Sequence, residues 1–168
     1  MYASIETRLD IAYTVHQAAR RMEGPCRENF STCKRIFRYL STGPDLGITL
    51  GGKRNGHGLE GLVDADWVED VDHRKSTTEY AFKLNGGTIS WCCRKQQLAT
   101  WSSTEVEYVT AEEAGKKTVY LRELLGWIGF GCRGSTTLFE DNTSAINLSK
   151  GSGAHCRTKH IGVRWHGI

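Results

Sequence analysis

Acidic residues occur in three short motifs that fall where a predicted strand ends or a predicted helix begins. The motifs are Asp64-Ala65-Asp66, Glu105-Val106-Glu107 and Glu140-Asp141. Converging carboxylates suit a hard divalent cation such as Mg²⁺, because one carboxylate alone binds it weakly. Two such ions held about 3.5–4 Å apart activate water and stabilise the leaving oxygen when a phosphodiester is cleaved. The alternative is that these acids are solvated turn residues or complement a helix dipole.

The spacing within each motif limits which carboxylates can converge. Glu105 and Glu107 lie roughly 200° apart around a helix, so only one of them faces the edge of the sheet. If Glu105 caps the helix, Glu107 is the one that remains. Glu140 and Asp141 alternate if the strand continues through them, so again only one points into the site. The two aspartates of the first motif would share a face if their strand continued through both, and the pattern leaves the choice between them open.

The helix that carries the second motif is predicted to begin at Ser102. Ser102-Ser103-Thr104-Glu105 matches the capping box, in which a hydroxyl and a carboxylate satisfy free backbone N–H groups reciprocally. Apolar residues then recur at helical spacing as far as Ile128, and Gly129 follows. A long helix with an apolar stripe is therefore expected from Ser102 to Ile128.

Strand patterns surround this helix. Residues 79–84 and 88–93 flank Asn85-Gly86-Gly87, which predicts a β-hairpin. Further strands are predicted at 59–64 and 136–139, and a short helix at 142–150. The order strand, strand, strand, helix, strand, helix predicts an α/β domain built on a mixed sheet.

The first part of the chain has a different pattern. Apolar residues recur at helical spacing on both sides of Gly24-Pro25, which predicts two helices. Two short helices bury little surface by themselves, so we expect them to pack on another part of the protein. The predicted division is an N-terminal helical pair at 1–44, a glycine-rich linker at 45–57 and the α/β domain at 58–168.

The composition excludes several classes of protein. The chain is 39% hydrophobic and 24% charged, which is typical of a folded globular domain. No uncharged run is long enough to cross a bilayer, and the six cysteines have neither a CxxC pair nor the spacing of a disulfide framework. We therefore expect an intracellular protein, in the cytoplasm or nucleus, without a membrane partner.

Positive charge accumulates towards the C-terminal end. No Asp or Glu follows Asp141, whereas Lys150, Arg157, Lys159 and Arg164 are basic. Uncompensated positive charge favours a polyanion such as nucleic acid. The alternative is a solvated surface with a basic bias.

Several longer motifs follow one another from Val63 onwards. They are Val63-Asp64-Ala65-Asp66-Trp67, Asp72-His73-Arg74-Lys75-Ser76-Thr77, Ile89-Ser90-Trp91, Lys95-Gln96-Gln97, Ser102-Ser103-Thr104-Glu105-Val106-Glu107-Tyr108, Phe139-Glu140-Asp141-Asn142-Thr143-Ser144-Ala145-Ile146 and Arg157-Thr158-Lys159-His160-Ile161. In this order they resemble the ribonuclease H domain of copia-type retrotransposon Pol polyproteins. Upstream, Thr7–Tyr13 and Arg38-Tyr39-Leu40 look like the end of the reverse transcriptase that precedes that domain.

The resemblance implies a ribonuclease H-like mixed sheet with flanking helices. It implies hydrolysis of the RNA strand of an RNA–DNA hybrid with Mg²⁺ or Mn²⁺, with the family's catalytic, metal-ligating acids falling on Asp64, Glu107 and Asp141. Nucleic-acid contacts are expected of Ser103, Thr104, Asn142, Arg157, Lys159 and His160. The implied partners are the hybrid and the reverse transcriptase portion of the same polyprotein, without a small-molecule cofactor. The implied location is the virus-like particle of the parent element.

Members of this family continue beyond the His160 motif with a fifth strand, a last helix and a fourth acid. The sequence ends at Ile168, so the resemblance predicts a domain truncated before those elements and C-terminally incomplete. Two functions remain open at this point. One is an active ribonuclease H, and the other is an inactive truncated remnant that at most binds nucleic acid.

Overall fold

The computed structural model describes residues 1–50, 58–66, 76–96, 102–132 and 134–150. The helices are α1 (Tyr2–Glu6), α2 (Ala12–Ala19), α3 (Arg27–Thr42), α4 (Ser103–Trp127) and α5 (Thr143–Ser149), with a 3-10 turn at Leu9–Ile11. The strands are β1 (Leu59–Asp66), β2 (Thr77–Leu84), β3 (Gly87–Lys95) and β4 (Thr137–Phe139). Within these ranges no helix combines the length and the apolar character needed to cross a membrane.

The four strands form one mixed sheet in the order β3-β2-β1-β4. β2 pairs antiparallel with both β1 and β3, whereas β4 runs parallel to β1. The parallel pair is possible because α4 provides the crossover between the third and fourth strands. A mixed sheet with flanking helices confirms the predicted α/β fold class and is compatible with a ribonuclease H-like fold.

The hairpin between β2 and β3 forms where the sequence predicted it. Asn85 and Gly86 both have positive φ, at 51° and 85°. A two-residue turn of this hand matches the twist of the flanking strands, and Asn-Gly is the pair that adopts it most readily. This turn sets the first two pairs, Leu84 with Gly87 and Lys83 with Thr88, and a bulge beside Phe82 then shifts the register of the remaining pairs by one residue.

Side-chain caps determine where α4 and α5 begin. Ser102 Oγ accepts a hydrogen bond from the backbone N–H of Glu105 at 3.2 Å, which confirms the predicted start of α4. Asn142 Oδ1 accepts from the N–H groups of Ser144 and Ala145, at 3.0 and 3.1 Å, and so caps α5. These caps fix the chain directly beside two of the acidic motifs.

The hydrophobic core lies between the sheet and α4. Its buried members are Leu59, Val63, Phe82, Ala114, Leu121 and Leu125. Alternate residues of β1 face this core, while Leu62 between them is exposed. The core therefore holds α4 against β1, and with it the helical acidic motif.

The N-terminal segment contains three α-helices and a 3-10 turn within 1–50, rather than the predicted helical pair. It contacts the sheet at β3. Trp91 Nε1 donates to the carbonyl oxygen of Ser4 at 2.8 Å, and the backbone N–H of Lys95 donates to His16 Nε2 at 3.1 Å. The expectation that these helices pack on another part of the protein is thus confirmed. The predicted boundaries remain predictions, since most of the linker lies outside the described residues.

Gly61 permits the close approach of β4 to β1. A Cβ at this position would contact the side chain of Leu138 and would lie 2.9 Å from Phe82 Cε1. We expect Gly61→Ala to lower the free energy of unfolding by about 1–3 kcal/mol, because the added methyl group overpacks the core. Chemical denaturation of both proteins measures this difference.

The matched control for that substitution is Gly126→Ala, in the last turn of α4. Nothing lies within 4 Å of a Cβ there, and its φ is not among the positive values. The control is expected to stabilise the protein by about 0.5–1 kcal/mol, because alanine favours the helix. Equal effects of the two substitutions would contradict the packing assigned to Gly61.

Candidate metal centre

The parallel pairing of β1 and β4 brings two acidic motifs to one edge of the sheet. Leu62 of β1 is in register with Phe139, the last residue of β4, and the chain continues directly into Glu140 and Asp141. The helix α4 packs across β1 and carries Glu107 in its second turn. Three elements that are distant in sequence therefore meet at the carboxyl ends of the parallel strands.

Three carboxylates converge at this edge. One oxygen from each of Glu107, Glu140 and Asp141 lies within 4.8 Å of the others. We call these three residues the acidic cluster. Two oxygens that bind one cation at about 2.0–2.6 Å are themselves at most about 5 Å apart. The spacing of the acidic cluster is therefore compatible with a shared divalent cation.

Two oxygen atoms of the acidic cluster lack the partners that buried polar atoms normally have. Glu107 is only 7% exposed, and its Oε2 atom is buried without a hydrogen-bond partner. Glu140 Oε2 is likewise buried and unpartnered, whereas its other oxygen accepts from the N–H of Asn142 at 3.0 Å. An unpaired buried carboxylate oxygen is costly. Hard, anionic oxygen donors of this kind fit Mg²⁺ or Mn²⁺.

The electrostatic environment also favours a cation. Burial raises the pKa of Glu107 to about 8, and the negative charges of Glu140 and Asp64 act in the same direction. Burial likewise raises the pKa of Glu140. The hydrogen bond from the backbone N–H of Asn142 acts in the opposite direction, because it stabilises the charged form. Burial and the neighbouring carboxylates therefore both destabilise these groups as anions, and a bound cation would offset that effect.

The structure does not bring Asp64 into the acidic cluster. Asp64 is exposed at the end of β1, on the same face as the exposed Leu62, and its Oδ1 accepts from the N–H of Ala65 at 2.8 Å. Asp66 is also exposed on this face. Both aspartates still contribute to the raised pKa of Glu107. Metal ligation by Asp64 stays a prediction.

The expectation that only one residue of Glu140-Asp141 points into the site is wrong. It assumed a strand that continues through both residues, but β4 ends at Phe139. The chain then turns towards α5, and both carboxylates reach Glu107. Glu140 is therefore a candidate functional residue that the sequence analysis missed. The available signal was Asn142, whose capping of the next helix requires the strand to end first.

The predicted nucleic-acid contacts are only partly described by the structure. Ser103 and Thr104 lie in the first turn of α4, one turn before Glu107, and Ser103 is exposed. Asn142 is half-buried and caps α5, a structural role that the sequence analysis did not assign to it. Three further predicted residues lie outside the described part of the chain; they are Arg157, Lys159 and His160.

A buried polar network fixes the helix beside the acidic cluster. Gln96 Nε2 donates to Thr78 Oγ1 at 3.1 Å, to Thr110 Oγ1 at 3.2 Å and to the carbonyl oxygen of Val106 at 3.3 Å. The network joins the sheet to α4 at the residue that precedes Glu107. Gln96 is thus a positioning residue, and it lies in one of the motifs that sequence analysis singled out without a role.

A cleft of about 580 Å³ opens between α4 and α5 beside the acidic cluster. Glu140 lines this cleft together with Tyr108, Glu112 and Lys150. Glu112 is buried and forms an ion pair with Lys116, yet its Oε2 atom has no hydrogen-bond partner. Glu112 therefore shares the burial of Glu107 but contacts a cation of the protein itself.

Comparison with known proteins shows similarity over the whole chain. It is 41% identical over 168 residues to the Retrovirus-related Pol polyprotein from transposon TNT 1-94 of Nicotiana tabacum. It is 35% identical over 162 residues, 96% of the chain, to the Retrovirus-related Pol polyprotein from transposon RE1 of Arabidopsis thaliana. The chain spans only 12% and 11% of the lengths of these two relatives.

A third relative is a much shorter protein. The chain is 40% identical over 123 residues to Secreted RxLR effector protein 161 of Plasmopara viticola, which covers 72% of the chain and 84% of that relative. No family model and no solved structure matches the chain. The relationship of this chain to known proteins therefore rests on these sequence similarities.

Proposed function

We propose that the chain is the ribonuclease H segment of a retrotransposon Pol polyprotein, because it is similar over 96–100% of its length to retrovirus-related Pol polyproteins from transposons. The proposed reaction is metal-dependent hydrolysis of the RNA strand of an RNA–DNA hybrid. Its proposed partners are the hybrid and the reverse transcriptase portion of the same polyprotein. The observation that carries the proposal is the convergence of Glu107, Glu140 and Asp141 at the carboxyl ends of β1 and β4.

The proposed roles follow from where each carboxylate lies. When bound, Mg²⁺ or Mn²⁺ would supply activation of water and stabilisation of the leaving oxygen. Glu107 and Asp141 provide carboxylate oxygens from α4 and from the segment after β4, and Asp64 adds negative charge from β1. Gln96 holds the helix in place, so that Glu107 keeps its position without reorganising during the reaction.

Hydroxyl groups beside the acidic cluster are suited to recognise the substrate. Ser103 and Thr104 lie one helical turn before Glu107, within reach of a sugar or phosphate group bound there. The 2′-hydroxyl distinguishes RNA from DNA, and a serine or threonine hydroxyl can both donate to it and accept from it. Arg157, Lys159 and His160 are proposed to contact phosphates.

The experiment that tests this function uses the complete 168-residue chain and an RNA–DNA hybrid with labelled RNA. We expect cleavage of the RNA strand in Mg²⁺ or Mn²⁺ and none in EDTA. The same RNA as a single strand and a DNA duplex of the same sequence serve as controls and should stay intact. Absence of hybrid cleavage in both metals would contradict the proposal.

A second candidate function is nucleic-acid binding without turnover, and α3 is the observation that favours it. Arg27, Lys34 and Arg38 are exposed and recur at helical spacing with Phe30 and Phe37. The two phenylalanines are 64% and 71% exposed. Basic groups next to exposed aromatic rings bind phosphates and stack on bases. This face of α3 therefore fits a nucleic acid whether or not the acidic cluster catalyses cleavage.

Replacing Lys34 by glutamate tests the role of this face. We expect Lys34→Glu to lower the affinity for the hybrid by roughly tenfold and to reduce its salt dependence by about one ion, because a phosphate contact is lost. Fluorescence anisotropy at several salt concentrations measures both effects.

A matched control is Lys117→Glu on α4. Lys34 Nζ lies 4.7 Å from the ring centroid of Phe30, and Lys117 Nζ lies 4.6 Å from that of Tyr120. Both variants thus reverse the charge of a lysine that contacts an aromatic ring. Equal losses of affinity in the two variants would show a general charge effect and would exclude α3 as a specific binding face.

A further inference from the structure

We infer that Glu140 is a ligand of the metal ion at the acidic cluster. This inference deepens the proposed function and rests on it for the presence of a metal centre. The resemblance assigns ligation to Asp64, Glu107 and Asp141 and gives Glu140 no role. In the structure, by contrast, Glu140 lies in the acidic cluster and Asp64 lies outside it.

The carboxylate of Glu140 is held in an orientation that leaves one oxygen available. Glu140 Oε1 accepts from the backbone N–H of Asn142 at 3.0 Å. Asn142 is itself fixed, because its side chain caps α5 through two hydrogen bonds. The remaining oxygen, Oε2, is buried and has no hydrogen-bond partner. A carboxylate that is anchored at one oxygen and free at the other is arranged as a monodentate ligand.

A second observation points to a cation at the same place. Glu107 is more than nine-tenths buried, and its unpartnered Oε2 belongs to a carboxyl group that faces Glu140 and Asp141. In the described part of the chain no lysine or arginine forms an ion pair with any of the three. Native structures rarely leave buried carboxylate oxygens without a partner. A shared divalent cation would satisfy both.

The nearby cleft offers a different assignment for Glu140, as a residue that only lines the cleft together with Glu112. Glu112 is more deeply buried than the half-buried Glu140 and also has an unpartnered oxygen, but it already forms an ion pair with Lys116. If Glu140 acted on a bound cation only through its negative charge, replacing Glu112 would be expected to have a similar effect on cation binding. The two residues therefore provide a matched pair for the experiment.

The first measurement is the affinity of the complete chain for Mn²⁺, by calorimetric titration without nucleic acid. We expect Glu140→Gln to weaken Mn²⁺ binding by at least about tenfold, because a ligand is lost. Glu112→Gln removes the carboxylate of another glutamate that lines the same cleft, and it is expected to change the affinity by less than about threefold, since it removes no ligand. The glutamine at position 140 can still accept from Asn142, and circular dichroism checks that both variants are folded.

The second measurement distinguishes a ligand from a remote charge. Luminescence lifetimes of bound Tb³⁺ in H₂O and D₂O report how many water molecules the ion retains. We expect Glu140→Gln to add about one water to the bound ion, because solvent refills the vacated position. Glu112→Gln should leave the hydration number unchanged. A weakened affinity with unchanged hydration would assign Glu140 a purely electrostatic role and overturn its ligation.

These outcomes are independent of the cleavage assay. If Mn²⁺ affinity depends on Glu140 but the wild-type chain does not cleave the hybrid, ligation by Glu140 is supported and the ribonuclease function is rejected. Hybrid cleavage together with full Mn²⁺ affinity in Glu140→Gln would retain the function and reject the ligand. A wild-type chain that binds no Mn²⁺ would reject the inference directly.

Discussion

Asp141→Asn is expected to reduce the rate of hybrid cleavage by roughly 10³-fold, about 4 kcal/mol of transition-state stabilisation. Asp141 is the exposed member of the acidic cluster and forms part of the group of oxygens within 4.8 Å of one another. Asparagine has nearly the same shape but carries no negative charge, so the substitution weakens cation binding where the substrate must also bind. Single-turnover cleavage of labelled hybrid in Mg²⁺ measures the effect.

The matched control for this substitution is Asp45→Asn. Asp45 is exposed in the turn after α3, in the N-terminal segment. Its conversion to asparagine should leave the rate unchanged, because it changes the same functional group on another part of the surface. Because Asp141 is exposed, its replacement should cost little stability, and an unchanged thermal transition would show this. Cleavage that survives Asp141→Asn would reject the assignment of the site.

The parts of the fold that were predictable depend on local chemistry. Asn85 and Gly86 form the hairpin turn because this pair tolerates positive φ without support from the rest of the protein. Ser102 caps α4 because its hydroxyl lies within reach of the N–H three residues later. Such features involve neighbours in sequence, so a pattern of a few residues is sufficient to predict them.

The composition of the candidate site depends on contacts between distant residues and was harder to predict. Whether Glu140 faces the same way as Asp141 depends on where β4 ends, and β4 pairs with only three residues of β1. The alternation of β1 leaves Asp64 on its exposed face, whereas Glu107 lies in the packed layer between α4 and the sheet. Periodicity along one segment indicates which way a side chain points, but it does not show where a strand ends or which residues of other segments lie next to that side chain.

The packing of the N-terminal helices illustrates the same limit. The sequence predicted that they need a surface to pack on, because they bury little by themselves. It did not predict that the surface includes edge strand β3, where His16 accepts from the backbone of Lys95. That contact satisfies one backbone N–H group at the edge of the sheet.

Phe82→Ala is expected to lower the free energy of unfolding by about 3–5 kcal/mol, a large fraction of the stability of a domain of this size. Phe82 is fully buried, contacts Tyr80 edge-on with ring centroids 5.7 Å apart, and belongs to the core beneath α4. Truncation leaves a cavity that the strands cannot fill without moving. Urea denaturation monitored by circular dichroism measures the loss.

Phe37→Ala is the control, because Phe37 is 71% exposed on α3 and its truncation should cost less than about 0.5 kcal/mol. The core substitution has a further consequence for the acidic cluster. Phe82 and Leu138 both lie against Gly61. Leu138 belongs to β4, and only Phe139 separates it from Glu140. Under conditions in which Phe82→Ala stays folded, we therefore expect weaker Mn²⁺ binding, whereas Phe37→Ala should bind as the wild type. An unstable Phe82→Ala variant with unchanged Mn²⁺ affinity would show that the cluster does not depend on the packing between β1 and β4.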